Sequence, residues 1–171
     1  MKVGVLSDTH LRQVDEGFRE MVERYFSECD HVIHLGDFTS LAVYEFLKEF
    51  FKGEIHAVSG NMDPAEIRRV LPERDVIELG GVRIGLIHGW GAPYDLEERV
   101  EKVFAKEDLQ CVLYGHTHNG SIRKRGGRLF FNPGSPTDRF HAKKNTVGVL
   151  KIEGGSVEAE LVEVFGSKDW F

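Results

Sequence analysis

The chain has 171 residues, of which 41% are hydrophobic, and its formal net charge is −6. This length and apolar content are sufficient for one folded domain over residues 1–171 and exclude an intrinsically disordered chain. The negative charge argues against stable binding of nucleic acid, because binding to a polyanion needs clustered lysine and arginine.

The sequence contains no apolar run that is long enough to cross a bilayer, and its N-terminus reads as a strand rather than a signal peptide. Its two cysteines, Cys29 and Cys111, both have apolar neighbours. We therefore expect a cytoplasmic protein without membrane association, in which both thiols are reduced.

The first half alternates short apolar runs with amphipathic segments, which is typical of βα units around a mainly parallel sheet. Predicted strands cover residues 3–6, 32–35 and 55–58. Apolar side chains at helical spacing predict helices over residues 18–26 and 41–51, and Pro64 suits the first turn of a short third helix. These helices are expected to pack on the sheet.

The second half is rich in predicted strands. Residues 76–79 and 82–87 form a predicted hairpin around Gly80-Gly81, because consecutive glycines supply the positive φ of a tight turn. A helix is expected around residues 96–104, and further strands are expected at residues 111–114, 128–131, 146–152 and 157–164. The sequence therefore predicts an α/β protein in which two packed sheets are flanked by helices.

Polar side chains follow five of the predicted strands, at the point where each strand ends. They are Asp8 and His10, Asp37, Asn61, His88, and the pair His116 and His118. Side chains just beyond the carboxyl ends of strands in open α/β sheets converge on one crevice. We therefore expect these groups to meet although they are far apart in sequence.

The chemistry of this set indicates a metal site. Two carboxylates, one amide and four imidazoles, without a thiolate, suit Mn, Fe, Zn, Co or Ni better than a sulfur-bound zinc or a calcium ion. Seven ligands fit two ions that share a carboxylate, which in two-metal hydrolases lie about 3.5–4 Å apart. Each short motif alone is also compatible with an ordinary turn, so the interpretation depends on the ordered set.

The remaining histidines and cations have other interpretations. His31, His34 and His56 are predicted to be structural, with a hydrogen bond from His34 to a metal-site carboxylate as the alternative. The basic run at residues 123–128 is predicted to be a solvated hairpin, although it could also attract an anionic substrate. Arg139 is the better candidate for substrate contact, because it follows the turn at residues 132–135.

The tail at residues 166–171 contains Trp170 and Phe171. These aromatic side chains either pack locally or mark a contact surface, and the sequence does not decide between the two.

The ordered motifs resemble those of the calcineurin-like metallophosphoesterase superfamily. They are Asp8-x-His10, Gly36-Asp37, Gly60-Asn61, His88-Gly89 and Gly115-His116-Thr117-His118. Two further segments, residues 60–63 and 132–135, resemble its compact prokaryotic branch of YfcE-type phosphodiesterases. The resemblance implies a four-layer αββα sandwich of two mixed sheets flanked by helices.

The resemblance also implies roles for the seven side chains. One ion is expected on Asp8, His10 and His118, and the other on Asn61, His88 and His116. Asp37 is expected to bridge them, and Asp37, Asn61 and His88 carry the implied catalysis. The implied cofactors are two divalent ions, with Mn favoured over Ni, Co, Fe or Zn, and the implied reaction is in-line attack of a metal-bridging hydroxide on a small phosphodiester.

The sequence departs from the superfamily pattern at Met62, where many members have a histidine that is proposed to protonate the leaving oxygen. Trp90 likewise replaces a histidine that follows the His-Gly pair in many relatives. Because fewer general acids remain, activated diesters are favoured over alkyl monoesters. Asp63 is left without an assigned role.

Two other functions are compatible with the same fold. The retromer subunit that resembles this fold is a protein-interaction scaffold with a degraded metal site, whereas all the ligand types are retained here. A nuclease is disfavoured by the acidic charge. A homo-oligomer is compatible with the sequence. The substrate, the native metal and the oligomeric state are not determined by the sequence.

Overall fold

The structure is a computed structural model, and it describes residues 1–164. The alternatives for Trp170 and Phe171 lie outside the described residues.

Ten strands and four helices make up the described chain. The strands are β1 (Lys2–Leu6), β2 (His31–His34), β3 (Glu54–Ala57), β4 (Arg74–Leu79), β5 (Val82–Ile87), β6 (Cys111–Leu113), β7 (Ser121–Arg125), β8 (Arg128–Asn132), β9 (Thr146–Glu153) and β10 (Ser156–Glu163). The helices are α1 (Glu16–Phe26), α2 (Leu41–Phe50), α3 (Ala65–Val70) and α4 (Leu96–Val103).

The two longest helices begin at polar caps. The side chain of Asp15 accepts a hydrogen bond from the backbone N–H of Phe18 at the start of α1, and that of Ser40 accepts one from Ala42 at the start of α2. Such caps satisfy N–H groups that have no partner within the helix. Pro64 precedes α3 in an extended conformation, so the helix begins one residue later than the sequence suggested.

The first sheet has the strand order β10-β9-β1-β2-β3. Its strands β1, β2 and β3 are parallel, and their last residues are in register, with Leu6 opposite His34 and His34 opposite Ala57. The strands β9 and β10 are added antiparallel on the other side of β1. The carboxyl ends of the three parallel strands therefore share one edge of this sheet.

The second sheet has the order β4-β5-β6-β8-β7, in which β5, β6 and β8 are parallel. The outer strands β4 and β7 pair antiparallel with β5 and β8. The strand β7 was not predicted separately, but it forms the β7–β8 hairpin that the basic run at residues 123–128 suggested. Arg123 and Arg125 pair there with Glu97 and Glu101 at the surface.

Three apolar clusters define the layers. One cluster packs α1 and α2 on the outer face of the first sheet through side chains such as Phe18, Phe26 and Leu47. A second fills the space between the two sheets, and a third packs α4 on the second sheet through Phe104. Each buried side chain of this size contributes about 1.5–3 kcal/mol of transfer free energy. This arrangement confirms the predicted αββα sandwich.

No helix within residues 1–164 combines the length and the apolar character that crossing a membrane would require.

Candidate metal centre

The structure brings all seven predicted ligand side chains into one connected group. They extend from the loops after β1, β2, β3, β5 and β6, so both sheets contribute. The members are Asp8, His10, Asp37, Asn61, His88, His116 and His118. The convergence follows from the parallel strands, whose carboxyl ends meet at a common edge.

The two carboxylates are at the middle of the group and are almost fully buried. His118 Nε2 lies 3.2 Å from Asp8 Oδ1. Asp37 Oδ2 lies 3.2 Å from His88 Nε2 and 3.6 Å from His10 Nε2. Ligand atoms of Asp8, His10 and His118 lie within 4.8 Å of one another, as do those of Asp8, Asp37 and His88.

Asn61 and His116 form a pair beside this group. Asn61 Oδ1 lies 2.9 Å from His116 Nδ1, and His116 Nε2 donates a hydrogen bond of 2.7 Å to the carbonyl of Gly91. The ring of His116 packs edge-on against His88, with 5.3 Å between the centroids. His116 Nδ1 and Asn61 Oδ1 are therefore adjacent candidate ligand atoms on the His88 side of the centre.

The backbone of the ligand loops is strained. Seven non-glycine residues among residues 1–164 have a positive φ, and five of them are predicted ligands. The five are Asp8, His10, Asp37, His116 and His118. Such conformations cost about 1–3 kcal/mol each and persist only where the surrounding structure enforces them. Their concentration at the strand ends indicates a functional site.

Two glycines next to the ligands allow the loops to approach closely. A Cβ at Gly60 would lie 2.2 Å from Asp37 Oδ1, and a Cβ at Gly115 would lie 1.9 Å from Ser7 Oγ. Because real side chains do not pack this closely, both positions require glycine. These contacts explain why glycine precedes Asn61 and His116 in the motifs.

Hydrogen bonds orient two of the imidazole rings. Nδ1–H of His88 donates to the carbonyl of Leu35 at 2.8 Å, and Nδ1–H of His118 donates to the carboxylate of Asp138. In each ring, Nε2 then faces the buried carboxylates. Metal-binding histidines are oriented in this way by a partner on the other nitrogen.

Two acidic residues of the site have roles that the sequence did not reveal. Asp138 holds His118, but no spacing rule connects residues 20 positions apart in different loops. Asp63 is buried and accepts hydrogen bonds from the backbone N–H groups of Asp37, Thr39 and Gly60 at 2.8–3.0 Å. The position of Asp63, two residues after Asn61 in the motif, was the sequence signal that could have identified it.

The turn at residues 132–135 supports the same loops. Ser135 Oγ donates to the carbonyl of Asp8 at 2.7 Å, and Asn132 Nδ2 donates to the carbonyl of Gly115 at 2.7 Å. Both side chains are fully buried. This turn therefore holds the exits of β1 and β6 in place relative to each other.

The electrostatics of the group favour a bound cation. Burial disfavours the charged ring of His88, but Asp37 and Asp8 outweigh this and raise its pKa. Burial likewise opposes protonation of His118, whose pKa is nevertheless raised to about 9 by Asp8 and Asp138. Although its burial favours the neutral acid, contact with His88 lowers the pKa of Asp37.

Two buried atoms in the group make no hydrogen bond of acceptable geometry among the described residues, although ion-pair partners lie 3.2 Å away: Asp8 Oδ1 and His88 Nε2. Both belong to side chains that contribute to the two ligand sets. Buried polar atoms are normally satisfied, and a metal ion would satisfy both of these. The residues present therefore fit divalent metal ions.

The other sequence candidates lie around this centre. His34 is fully buried, contacts Thr9 Oγ1 at 3.1 Å and accepts a hydrogen bond from the N–H of Gly36, so its partners are not the carboxylates. Arg139 is exposed and follows Asp138 directly.

A cleft of about 640 Å³ lies beside Asn61 and His88. Its lining includes Arg68, Arg74 and Trp90, and Arg68 donates to the backbone carbonyl of Asn61 at 2.7 Å. The cleft places cations and an aromatic surface next to the metal centre, and the sequence reasoning had not identified either arginine.

This fold and this ligand set are those of a metal-dependent phosphoesterase, and comparisons with known proteins agree. Residues 1–155 match the family model of the calcineurin-like phosphoesterase superfamily domain. The chain belongs to this superfamily.

The chain is similar to a metallophosphoesterase relative and to several solved structures. The chain is 36% identical to a probable metallophosphoesterase of Methanocaldococcus jannaschii, over 96% of this chain and 82% of the relative. A solved archaeal phosphodiesterase is 25% identical with a TM-score of 0.74, covering 95% of this chain and 100% of that chain. Vps29 from Entamoeba histolytica in complex with zinc is 26% identical with a TM-score of 0.73, covering 95% and 99%.

Proposed function

We propose that this protein is a dinuclear metal-dependent phosphodiesterase that hydrolyses small phosphodiesters. The observation that carries the proposal is the position of Asp37. Its Oδ2 atom lies 3.6 Å from His10 Nε2 and 3.2 Å from His88 Nε2, which are assigned to different ions. This position supports Asp37 as the bridging ligand, with Asp8, His10 and His118 on one ion and Asn61, His88 and His116 on the other.

The ions, when bound, lower the pKa of bound water and neutralise negative charge on a phosphoryl group. The protein supplies the positions of the ligands. Asp138 and the carbonyl of Leu35 orient His118 and His88 with Nε2 toward the carboxylates, and Asp63 holds the backbone of Asp37. Asn61 contributes an oxygen without negative charge, which limits repulsion of an anionic substrate.

Mn is the proposed native metal, with Ni, Co, Fe and Zn as alternatives. Its support is the mixture of carboxylate and amide oxygen with imidazole nitrogen, without a thiolate.

The preference for diesters is supported by two side chains and one relative. Met62 and Trp90 are exposed at positions where a titratable ring would aid a poor leaving group, and neither side chain can supply a proton in that way. The similar archaeal protein is itself a phosphodiesterase. A diester with a good leaving group suits such a site better than an alkyl monoester.

Replacement of the bridging ligand tests the proposal. Asp37→Ala should lower kcat by at least about 10³-fold, because both ions lose a ligand, and should reduce the content of both metals by elemental analysis. Glu49→Ala removes an exposed carboxylate on α2 and is the control. Substantial turnover, or loss of only one metal, would contradict a bridging role.

Substrate contact is proposed for Arg139, with Arg68 as a further candidate from the cleft. Arg139→Met and Arg68→Met should raise KM more than Arg125→Met, whose arginine pairs with Glu101 at the surface. A charged hydrogen bond contributes about 1.5–3 kcal/mol, which corresponds to a rise of about 10- to 100-fold in KM. Equal KM values for Arg139→Met and Arg125→Met would remove Arg139 from the site.

A protein-interaction scaffold is the second candidate, and the likeness to Vps29 favours it. Turnover distinguishes the two functions: purified protein with two metals and no activity on any phosphate ester would favour the scaffold. We further propose that residues 1–171 form one domain, which the family match over residues 1–155 supports. The buried thiols of Cys29 and Cys111 support a cytoplasmic location.

A further inference from the structure

A second group of side chains that could bind a metal lies at the start of the paired strands β2 and β3, away from the strand ends that carry the metal centre. His31 begins β2, whereas Glu54 and His56 belong to β3. The register places His31 opposite Glu54 and Ile33 opposite His56. Because Ile33 packs in the layer between the sheets, and alternate residues share a face, the three side chains lie on that face.

The three side chains are close enough to share one ion. One ligand atom from each lies within 4.8 Å of the others, and His56 Nε2 is 3.7 Å from Glu54 Oε2. The rings of His31 and His56 stack with 5.6 Å between centroids and 27° between planes. Ligand atoms around a tetrahedral zinc ion lie about 3.3 Å apart, so small side-chain rotations complete the site.

This group contains buried ring nitrogens without a hydrogen-bond partner in the described part of the chain, and the metal centre likewise contains buried atoms without one. Within residues 1–164, four buried side-chain atoms lack a hydrogen-bond partner. Two of them, on Asp8 and His88, belong to the metal centre. The other two are His31 Nδ1 and His56 Nε2. Buried nitrogens of this kind normally have partners, and an ion bound between the rings would supply one to each.

The charges around the rings are suited to a cation. Burial is the main cause that lowers the pKa of His56, and the neighbouring His31 lowers it further, so this ring is neutral near pH 7 with a lone pair available. The carboxylates of Glu54 and of Asp75 on β4 act on the same ring in the opposite sense. They provide negative charge beside the ring nitrogens of this group.

We propose that His31, Glu54 and His56 form a second metal site that binds one divalent transition-metal ion, with Zn²⁺ as the best match. Two imidazoles and a carboxylate are a common zinc ligand set that leaves a position for water. The site lies at the start of β2, whereas Asp37 follows its end. Its ion connects β2 to β3 and has no contact with the phosphoesterase centre.

Zinc titration of the full-length protein tests the site, read on individual rings by long-range ¹H–¹⁵N spectra of the histidines. The expected result is that His31 and His56 signals shift together and saturate with one equivalent of Zn²⁺ beyond that taken by the centre. Elemental analysis after gel filtration should show one fewer zinc in His56→Gln. In Glu54→Gln, zinc affinity at this site should fall at least tenfold.

Glu49→Gln is the matched control for Glu54→Gln, since it removes the same charge from an exposed position on α2. Glu54 is itself largely exposed, at 75%, so its variant should fold normally. Phosphoesterase turnover should be the same in all variants, which separates this site from the proposed function. Unshifted His31 and His56 signals in excess Zn²⁺, or equal zinc content in every variant, would overturn the proposal.

Discussion

Met62 is the residue at which the chemistry of this chain departs most from its superfamily. It follows the proposed ligand Asn61, and 59% of its surface is exposed. Its backbone N–H donates to Asp37 Oδ1 at 2.8 Å, so the loop conformation does not depend on the thioether side chain. The position can therefore accept another side chain without loss of core packing.

Met62→His should accelerate hydrolysis of poor leaving groups more than that of good ones. General acid catalysis contributes about 10²–10⁴-fold, so even a partly aligned imidazole should be detectable. The measurement is the dependence of log kcat on leaving-group pKa, at matched metal content, with Met62→Leu as the control. Equal slopes for wild type and Met62→His would show that another group already supplies the proton.

Two neighbouring loops of the first sheet, after β2 and after β3, are held together by Asp63. This carboxylate accepts three backbone hydrogen bonds from both loops and is almost completely buried. These hydrogen bonds connect the two loops beyond the ends of β2 and β3, where the strands no longer pair with each other. Asp63 therefore compensates for the positive φ of Asp37 and Thr39.

Asp63→Ala should reduce the free energy of unfolding by about 3–5 kcal/mol, because it leaves three backbone donors without an acceptor. Asp63→Asn retains one carbonyl oxygen, so its free energy of unfolding should fall by less than that of Asp63→Ala. Urea denaturation of the metal-free protein measures both. Glu66→Ala, an exposed change on α3, should stay within about 0.5 kcal/mol of wild type, and an equally small loss for Asp63→Ala would contradict this role.

The whole molecule is organised around the edge where the two sheets meet. The proposed ligands follow three strands of the first sheet and two of the second, so metal ions bound to them would connect both halves of the sandwich. At this edge, buried carboxylates and imidazoles lie close together, and Asp8 Oδ1 and His88 Nε2 have no hydrogen-bond partner among the described residues. Metal binding should therefore be coupled to the stability of the entire fold.

Removal of metal by EDTA should lower Tm, and addition of Mn²⁺ should restore it. A ligand at 1,000 times its Kd stabilises the native state by about 4 kcal/mol, which corresponds to about 8–16 °C for a chain of this size. Differential scanning calorimetry measures the shift, and Asp37→Ala should show a much smaller one. An identical Tm with and without metal would contradict the coupling.

The sequence by itself determined the features that depend on local chemistry. Alternating apolar runs predicted the strands β1 to β3 and the helices between them, because side-chain period and burial are properties of each segment. The seven polar residues at the strand ends were likewise identified from their order, and the structure brings them together. Parallel strands impose that convergence whatever the details of packing.

Tertiary structure alone decided which groups support the ligands. Asp138 meets His118 across different loops, and His31 meets Glu54 and His56 through the register of two strands. Residues so far apart in sequence leave no periodic signal, and loop closure can bring many pairs together at similar entropic cost. Three-dimensional packing selects among these pairs, because the side chains must fill the layer between the sheets and most buried polar groups must find a partner.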